Sequence, residues 1–332
     1  MTTHNMFHEP VMLAEVLSAL KLRDGGIYVD GTFGAGGYTR AILEKARCKV
    51  VAIDRDPDAI QAGQALARQH AERLTLVEGR FGDMPALLAN SGISSVDGVV
   101  LDIGVSSMQL DESARGFSFM RDGPLDMRMA QAGATAADAV NTLAPEQLSR
   151  IIHIFGEESR ARAIARAIVR ARDTEPIATT GALVSAIEKA TGRQRAQDRI
   201  HPATRTFQAL RIHVNGELDE LVAALHAAEK LLAPGGRLVV VTFHSLEDRI
   251  VKRFFTSRAG KLPLASRHLP EARTPPPPSF ELPFKGHLEA TSGETARNPR
   301  ACSAKLRAGI RTQAPPMASI ADEIGVSTAG RH

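Results

Sequence analysis

The chain has 332 residues, 43% hydrophobic and 23% charged, a balance that excludes disorder as its main state and suits a soluble globular protein of one large domain or one large plus one smaller. No apolar run reaches the roughly 20 residues of a membrane helix, the N-terminus lacks a signal-peptide layout, and two cysteines, Cys48 and Cys302, leave no disulfide framework, so a reducing cytoplasm is expected. The net charge is +4, yet Arg249 to Arg311 carry thirteen Lys or Arg against four Glu, a net +9, which leaves −5 for the rest; a polyanion or a merely solubilising surface fits this equally.

The first half alternates strand-sized apolar runs with helical spacing, as a parallel α/β sheet does. The pattern predicts a helix over Pro10 to Leu20 and a strand over Ile27 to Asp30, then a glycine-rich turn and a helix from Thr39 to Ala46. Lys49 to Asp54 reads as a strand, Asp58 to His70 as a helix, and Leu74 to Val77 and Val96 to Asp102 as the third and fourth strands. From Asp111 to Thr206 no strand is predicted; alanine-rich helices dominate, over Pro145 to Phe155, Glu158 to Ala171 and Thr180 to Ala190. The α/β rhythm returns with a helix from Gly216 to Leu232, stopped by Pro234-Gly235-Gly236, and a strand from Arg237 to Phe243. A short helix, Leu246 to Phe255, precedes the Pro-rich stretch Gly260 to Pro283, read as a loop unable to pair in a sheet. Gly286 to Thr291 and Lys305 to Arg311 are the last candidate strands, and residues beyond Thr312 read as a loose tail.

The most informative segment is Asp30-Gly31-Thr32-Phe33-Gly34-Ala35-Gly36-Gly37-Tyr38, a glycine turn from a strand into a helix. An ATP loop needs Lys followed by Ser or Thr after its last glycine, and Tyr38-Thr39 stands there. The dinucleotide pattern is met by Gly34 and Gly36, but Thr39 takes the third glycine's place. Asp30, at the strand end, is badly placed for an anionic pyrophosphate and well placed for a cation. S-adenosylmethionine is such a ligand: its sulfonium and amino group are positive and it has no phosphate. Asp54 ends the second strand and suits ribose hydroxyls, Phe81 suits adenine, and Asp102 ends the fourth strand, so three aspartates fall along one crevice. Capping alone accounts poorly for that coincidence, whereas Asp56 or Asp58 is read as a helix cap.

Several segments together resemble the RsmH (MraW) family. They are His8-Glu9-Pro10-Val11-Met12-Leu13, Asp30-Gly31-Thr32-Phe33-Gly34, Ala52-Ile53-Asp54-Arg55-Asp56-Pro57, Leu101-Asp102-Ile103-Gly104-Val105-Ser106-Ser107 and Arg115-Gly116-Phe117-Ser118-Phe119. The run continues with Gly123-Pro124-Leu125-Asp126-Met127-Arg128-Met129, His201 to Arg211, Phe243-His244-Ser245-Leu246-Glu247-Asp248-Arg249 and Asn298-Pro299-Arg300. The resemblance spans His8 to Arg311 and implies S-adenosylmethionine-dependent N4-methylation of a cytidine in the decoding region of 16S rRNA, naked or within the small subunit. It also implies a Rossmann-like class I S-adenosylmethionine-dependent methyltransferase sheet (α/β) with a helical recognition domain inserted after the fourth strand; with the breaks read above, the sheet falls to residues 1–110 and 207–312, the insert to 111–206 and a flexible tail to 313–332. The family's cofactor positions map onto Gly36, Gly37, Tyr38, Asp54, Phe81, Asp102 and Gln109; many relatives carry His where Tyr38 stands, a change that matters little if the contact is main-chain.

The exocyclic amine is a poor nucleophile because its lone pair is delocalised, so acceptors that draw its N–H bonds out of the ring plane should help. Asp102 is the first candidate; Ser106, Ser107 and His244 follow, each with an ordinary turn or core role as its alternative. Methylation at cytosine C5 needs a thiolate, and neither cysteine follows a crevice strand; no metal is needed and the eleven histidines show no ligand spacing. For RNA, Arg162, Arg166 and Arg170 form one helical stripe, and Arg193, Arg195, Arg199, Arg205 and Arg211 a second basic cluster. Phe117 and Phe119 suit a base cradle or core packing equally. A methyltransferase for another nucleic acid is the nearest alternative; the missing third glycine and Asp30 disfavour a nicotinamide enzyme.

Overall fold

A computed structural model describes residues 10–193, 200–261 and 276–318. The chain divides into two units, one of residues up to Gly104 and from Leu218 onward, the other Val105–Glu217. These breaks stand at 104 and 217, against 110 and 206 in the sequence reading. The first comes early because the chain leaves the sheet at Gly104, whose φ of +126° favours a residue with no Cβ. The second comes late because Phe207 and Leu210 are core residues of the inserted unit.

The first stretch holds α1 (Leu13–Leu20), β1 (Ile27–Asp30), α2 (Gly37–Lys45), β2 (Lys49–Asp54), α3 (Pro57–Gln69), β3 (Leu74–Glu78), α4 (Met84–Ala89) and β4 (Val96–Asp102). Val50 to Ile53 and Val99 to Leu101 are unbroken buried runs, as strands covered on both faces require. Each such Val, Leu or Ile contributes roughly 1.5–3 kcal/mol when removed from water. Asp56 caps α3, accepting from the Asp58 N–H at 3.1 Å, with Pro57 in the first turn. The expected helix over Pro10 to Leu20 starts only at Leu13, because Met12 is in the left-handed region (φ +53°) and breaks the turn before it.

The inserted unit contains α5 (Ser107–Asp111), α6 (Ala136–Thr142), α7 (Pro145–Gly156), α8 (Ala161–Arg172), α9 (Thr180–Thr191) and α10 (Thr204–Asn215). Its core joins Val140, Leu148, Ile152, Ile164, Ile168, Leu183 and Ile187, recurring at helical spacing. Among its described residues the extended pairing is a single bridge, Pro124 with Thr179. The helix expected from Glu158 starts at Ala161, since Glu157 (φ +49°) ends α7 and the Glu158 carboxylate accepts from the Arg160 N–H at 2.8 Å. α6 and α10 were not anticipated.

The chain then returns through α11 (Glu217–Leu231), β5 (Leu232–Thr242), α12 (Ser245–Arg258), β6 (Phe280–Glu281), β7 (Leu288–Glu289), α13 (Ser292–Arg297) and β8 (Lys305–Arg311). The sheet order is β3-β2-β1-β4-β5-β8-β6, with β7 also on β8; β1 to β5 are parallel and β8 is antiparallel to β5. Pro234-Gly235-Gly236 does not separate helix from strand as expected. It lies inside β5 as an irregularity, where pairing jumps from Val96↔Leu232 to Gly98↔Arg237. Part of the Pro-rich stretch does pair: Phe280 and Glu281, past the last proline of the run, join Arg311 and Ile310. The strand expected over Gly286 to Thr291 shrinks to Leu288–Glu289. Residues 313–318 are not loose, for the Met317 N–H donates to Glu229 at 3.1 Å and the Ala318 carbonyl accepts from Arg258 at 3.3 Å. Residues 319–332 and most of the Pro-rich loop lie outside the described residues.

Candidate active site

Sheet register brings the three aspartates together. Asp30 pairs with Ala52 on one side and Val100 on the other, so Asp54 and Asp102 each lie two residues further toward the carboxyl edge. A separation of two keeps all three side chains on one face of the pleat. The chain order reverses between β1 and β4, the switch point at which open α/β sheets bind ligands.

The glycine turn is stitched to these carboxylates. The Gly31 N–H donates to the Val100 carbonyl and Phe33 N–H to Ile53, each at 3.0 Å. A Cβ on Gly31 would sit 2.5 Å from a Leu101 methyl and 3.2 Å from the Phe81 Cβ, so only glycine fits. Gly36 (φ +76°) starts α2, and a Cβ there would strike the Phe33 ring at 2.8 Å. Asp54 accepts from the Gly34 N–H at 2.7 Å and the Asp56 N–H at 2.9 Å, which fixes the turn and leaves the carboxylate partly exposed. Asp30 is fully buried and accepts from the Thr39 hydroxyl at 2.7 Å and the Thr32 N–H at 3.2 Å. Its carboxylate therefore supports the turn from behind.

Charge here is poorly compensated. Asp102 Oδ1 is buried with no hydrogen-bond partner, while the residue's own N–H donates to Thr32 Oγ1 at 2.8 Å. Burial, then the neighbouring Asp30 and Glu247 carboxylates, push the Asp102 carboxyl well above the usual range. Burial likewise lifts Asp30 to about 6, against the hydrogen bonds from Thr39 and Thr32. Asp54 is raised by burial too. Among the described residues no three His, Cys, Asp or Glu side chains form a metal-ligating group.

The other expected residues divide. Phe81 opens a 3₁₀ turn (Phe81–Asp83) directly beyond β3 and is half-buried. The Tyr38 side chain is buried and its hydroxyl donates to the Val11 carbonyl, so what α2 offers a ligand at Tyr38 is main chain, as at Gly37. Ser106 and Gln109 belong to the inserted unit, where they form a capping box on α5: Gln109 N–H to Ser106 Oγ at 3.2 Å, Ser106 N–H to Gln109 Oε1 at 3.1 Å. His244 caps α12. Its Nε2 lies 2.8 Å from Glu247 Oε1, outside hydrogen-bonding angles, and Glu247 Oε2 accepts from the Phe243 N–H at 2.9 Å. Sequence reasoning missed Glu247 and Thr39. Glu247 carried a readable signal, a Glu three residues after the cap position; Thr39 carried none, since its partner is nine residues away.

In the inserted unit Arg162, Arg166 and Arg170 are all exposed along one side of α8. Arg205 is exposed and donates to the Glu157 carbonyl at 3.3 Å. Arg211 instead forms a bidentate pair with Glu217, both contacts 2.8 Å, and is largely buried. Arg193 lies 3.7 Å from Glu188, whereas Arg195 and Arg199 fall outside the described residues. Phe117 is core, and Phe119 packs against His201 and Phe207 with ring centroids 4.8 and 4.9 Å away.

Residues 5–311 match the family described as the MraW methylase family. The chain is 60% identical over 321 residues to "Ribosomal RNA small subunit methyltransferase H" of Methylobacterium sp. (strain 4-46), covering 95% of this chain and 94% of that protein. It is also 60% identical over 310 residues to the protein of the same name from Parvibaculum lavamentivorans, covering 93% and 91%. A solved rRNA methylase from Streptococcus thermophilus aligns with a TM-score of 0.41 at 11% identity, over 93% of this chain and 99% of that one.

Proposed function

Because the chain belongs to the MraW methylase family, we propose that it methylates the exocyclic N4 of a cytidine in the decoding region of 16S rRNA. The coarser activity, methylation of small-subunit ribosomal RNA, is the one its relatives at about 60% identity are named for, and S-adenosylmethionine is the methyl donor of this methylase family. One observation carries the chemical reading: Asp102 Oδ1 is buried and unpartnered beside two further carboxylates. A site that holds uncompensated negative charge fits a donor that brings a sulfonium and an ammonium.

When bound, S-adenosylmethionine supplies an electrophilic methyl group. Asp54, partly exposed and fixed by the turn, accepts ribose hydroxyls; Phe81 packs on adenine; the Gly37 and Tyr38 main chain approaches the amino-acid portion. Asp102 Oδ1 accepts an N–H of the amine, localising the nitrogen lone pair, and its raised affinity for protons lets it take the proton that the nitrogen sheds. His244, held beside Glu247, lines the next strand end. Ser106 serves as a helix cap in this reading. The inserted unit recognises RNA through Arg162, Arg166 and Arg170, and Arg205 is a further exposed cation of the same unit. The target base leaves its stack to reach the crevice. C5 chemistry is disfavoured by the cysteines: Cys48 is buried before β2, at the end of the sheet away from the crevice, and Cys302 lies in the 3₁₀ turn Pro299–Ser303.

Incubation with isotopically labelled donor, then nuclease digestion and mass spectrometry of 16S rRNA, tests the reading. Label is expected in N4-methylcytidine from a decoding-region fragment. Label confined to another nucleoside, or to a different RNA, replaces this reading with that of a methyltransferase for another nucleic-acid amine.

A further inference from the structure

Glu220, on the first turns of α11, has no place in the chemistry above, yet its side chain is only 1% exposed. Its Oε2 accepts from Arg55 Nη1 at 2.9 Å and from Arg80 at two nitrogens, Nε at 3.1 Å and Nη2 at 3.0 Å. The two arginines come from different loops. Arg55 follows Asp54 at the end of β2, and Arg80 precedes Phe81 beyond β3. The same helix packs tightly on the Phe81 turn: a Cβ on Gly82 would lie 3.3 Å from Ala223 Cβ and 3.4 Å from Glu220 Cγ. A further bond closes the pair of loops, the Gly79 N–H donating to the Asp54 carbonyl at 2.9 Å.

A buried ion pair adds little net stability over apolar packing, so its use lies in fixing geometry. Here one carboxylate oxygen fixes the spacing between the residue read as the ribose acceptor and the residue read as the adenine platform. We propose that Glu220 is a positioning residue for the adenosine half of the methyl donor, acting through Arg55 and Arg80 to hold Asp54 and Phe81 at a set separation. This rests on the reading of Asp54 and Phe81 as adenosine contacts. The clamp joins the ends of β2 and β3, whereas Asp102 ends β4 on the other side of β1, so the clamp governs donor affinity and leaves the chemical step alone.

Full-length Glu220→Gln and Arg80→Gln variants test it, with thermal melts establishing that each is folded at the assay temperature. Arg80 is 47% exposed, so its replacement keeps the test alive where Glu220→Gln unfolds. Calorimetry with S-adenosylhomocysteine and with 5′-methylthioadenosine, which lacks the amino-acid half, should show a Kd raised about tenfold for both ligands alike. The KM for the donor should rise by a similar factor, with kcat at saturation within about twofold of wild type. Unchanged Kd values in folded variants, a loss seen with S-adenosylhomocysteine alone, or a fall in kcat at constant KM would overturn the clamp. A wild-type protein that binds neither ligand would instead remove the adenosine site on which the clamp depends.

Discussion

Two buried carboxylate clusters in the sheet-bearing unit are handled in opposite ways. At its far edge Glu229, on α11, is 1% exposed and fully matched: Oε2 accepts from Arg258 Nε at 3.2 Å, Oε1 from Ser279 Oγ at 2.6 Å and from the Met317 N–H at 3.1 Å. Arg311 adds a bond to the Glu229 carbonyl at 2.8 Å. In the crevice Asp30 and Asp102 are handled otherwise: the fully buried Asp30 accepts from the Thr39 hydroxyl and the Thr32 N–H, and Asp102 Oδ1, also buried, accepts no hydrogen bond. The chain has the means to compensate a buried carboxylate with arginine and does so where structure is at stake. On the proposed reading, an undercompensated crevice raises the energy of the unliganded site and favours a ligand that carries its own positive charge.

The largest effect that separates the two clusters belongs to Glu229. Glu229→Gln leaves Arg258 buried without its counter-charge and should destabilise the fold by about 3–5 kcal/mol. Denaturant melts would measure this, while KM for the donor should stay unchanged in the folded fraction. A stable variant would mean that the edge network is dispensable. Asp102→Asn should behave inversely. Methyl transfer should fall on the order of 10²–10³-fold, and the melting temperature at pH 8 should rise by about 2–4 °C, because a neutral amide relieves the buried charge. A variant of Asp102 that is less stable at that pH, or that turns over normally, would erase the contrast.

How much of this was legible beforehand follows from range of interaction. β2 and β4 match their expected bounds because Val50 to Ile53 and Val99 to Leu101 are contiguous apolar runs, and the Asp56 cap was visible in its neighbours. α10 was missed because its buried positions, Thr206 and Phe207, then Ala209 and Leu210, are interrupted by Arg205, Gln208 and Arg211, a mix that reads as a polar linker until a partner face exists. The pairing of Phe280 with Arg311 was illegible for a different reason: proline composition describes the stretch as a whole, whereas the strand sits in the gap between the run Pro275 to Pro278 and Pro283. In the crevice, the identity of Asp30, Asp54 and Asp102 followed from their strand ends. The absence of a cation beside Asp102 among the described residues did not, for it depends on what α12 and the glycine turn bring alongside, and a sequence does not display missing partners. The roles of Tyr38 and Arg211 changed for the same reason, each side chain being taken up by a neighbour, the Val11 carbonyl and Glu217.

The smallest effect is a proton count, and it sharpens the contrast most directly. Asp30 is lifted from 3.8 to about 6 in the folded chain, and Asp102 is also raised. A carboxyl whose folded pKa exceeds its unfolded value binds more protons when folded, so its contribution to stability is complete at acid pH and is lost as pH rises through the folded pKa. For Asp30 that loss runs from about 4 to just above 6, and Asp102 loses its share in the same sense. A cationic donor prefers the ionised carboxylates, so binding must expel protons, and affinity must rise with pH by less than about tenfold per unit for each proton released. Titration of S-adenosylmethionine near pH 6 in two buffers of different ionisation enthalpy should give unequal heats. S-adenosylhomocysteine, whose sulfur is neutral, should release fewer protons, and Asp102→Asn fewer still. Equal heats in both buffers, with affinity flat from pH 5 to 8, would mean that the crevice carboxylates hold their charge by some other compensation, and the two clusters would then differ only in which donors surround them.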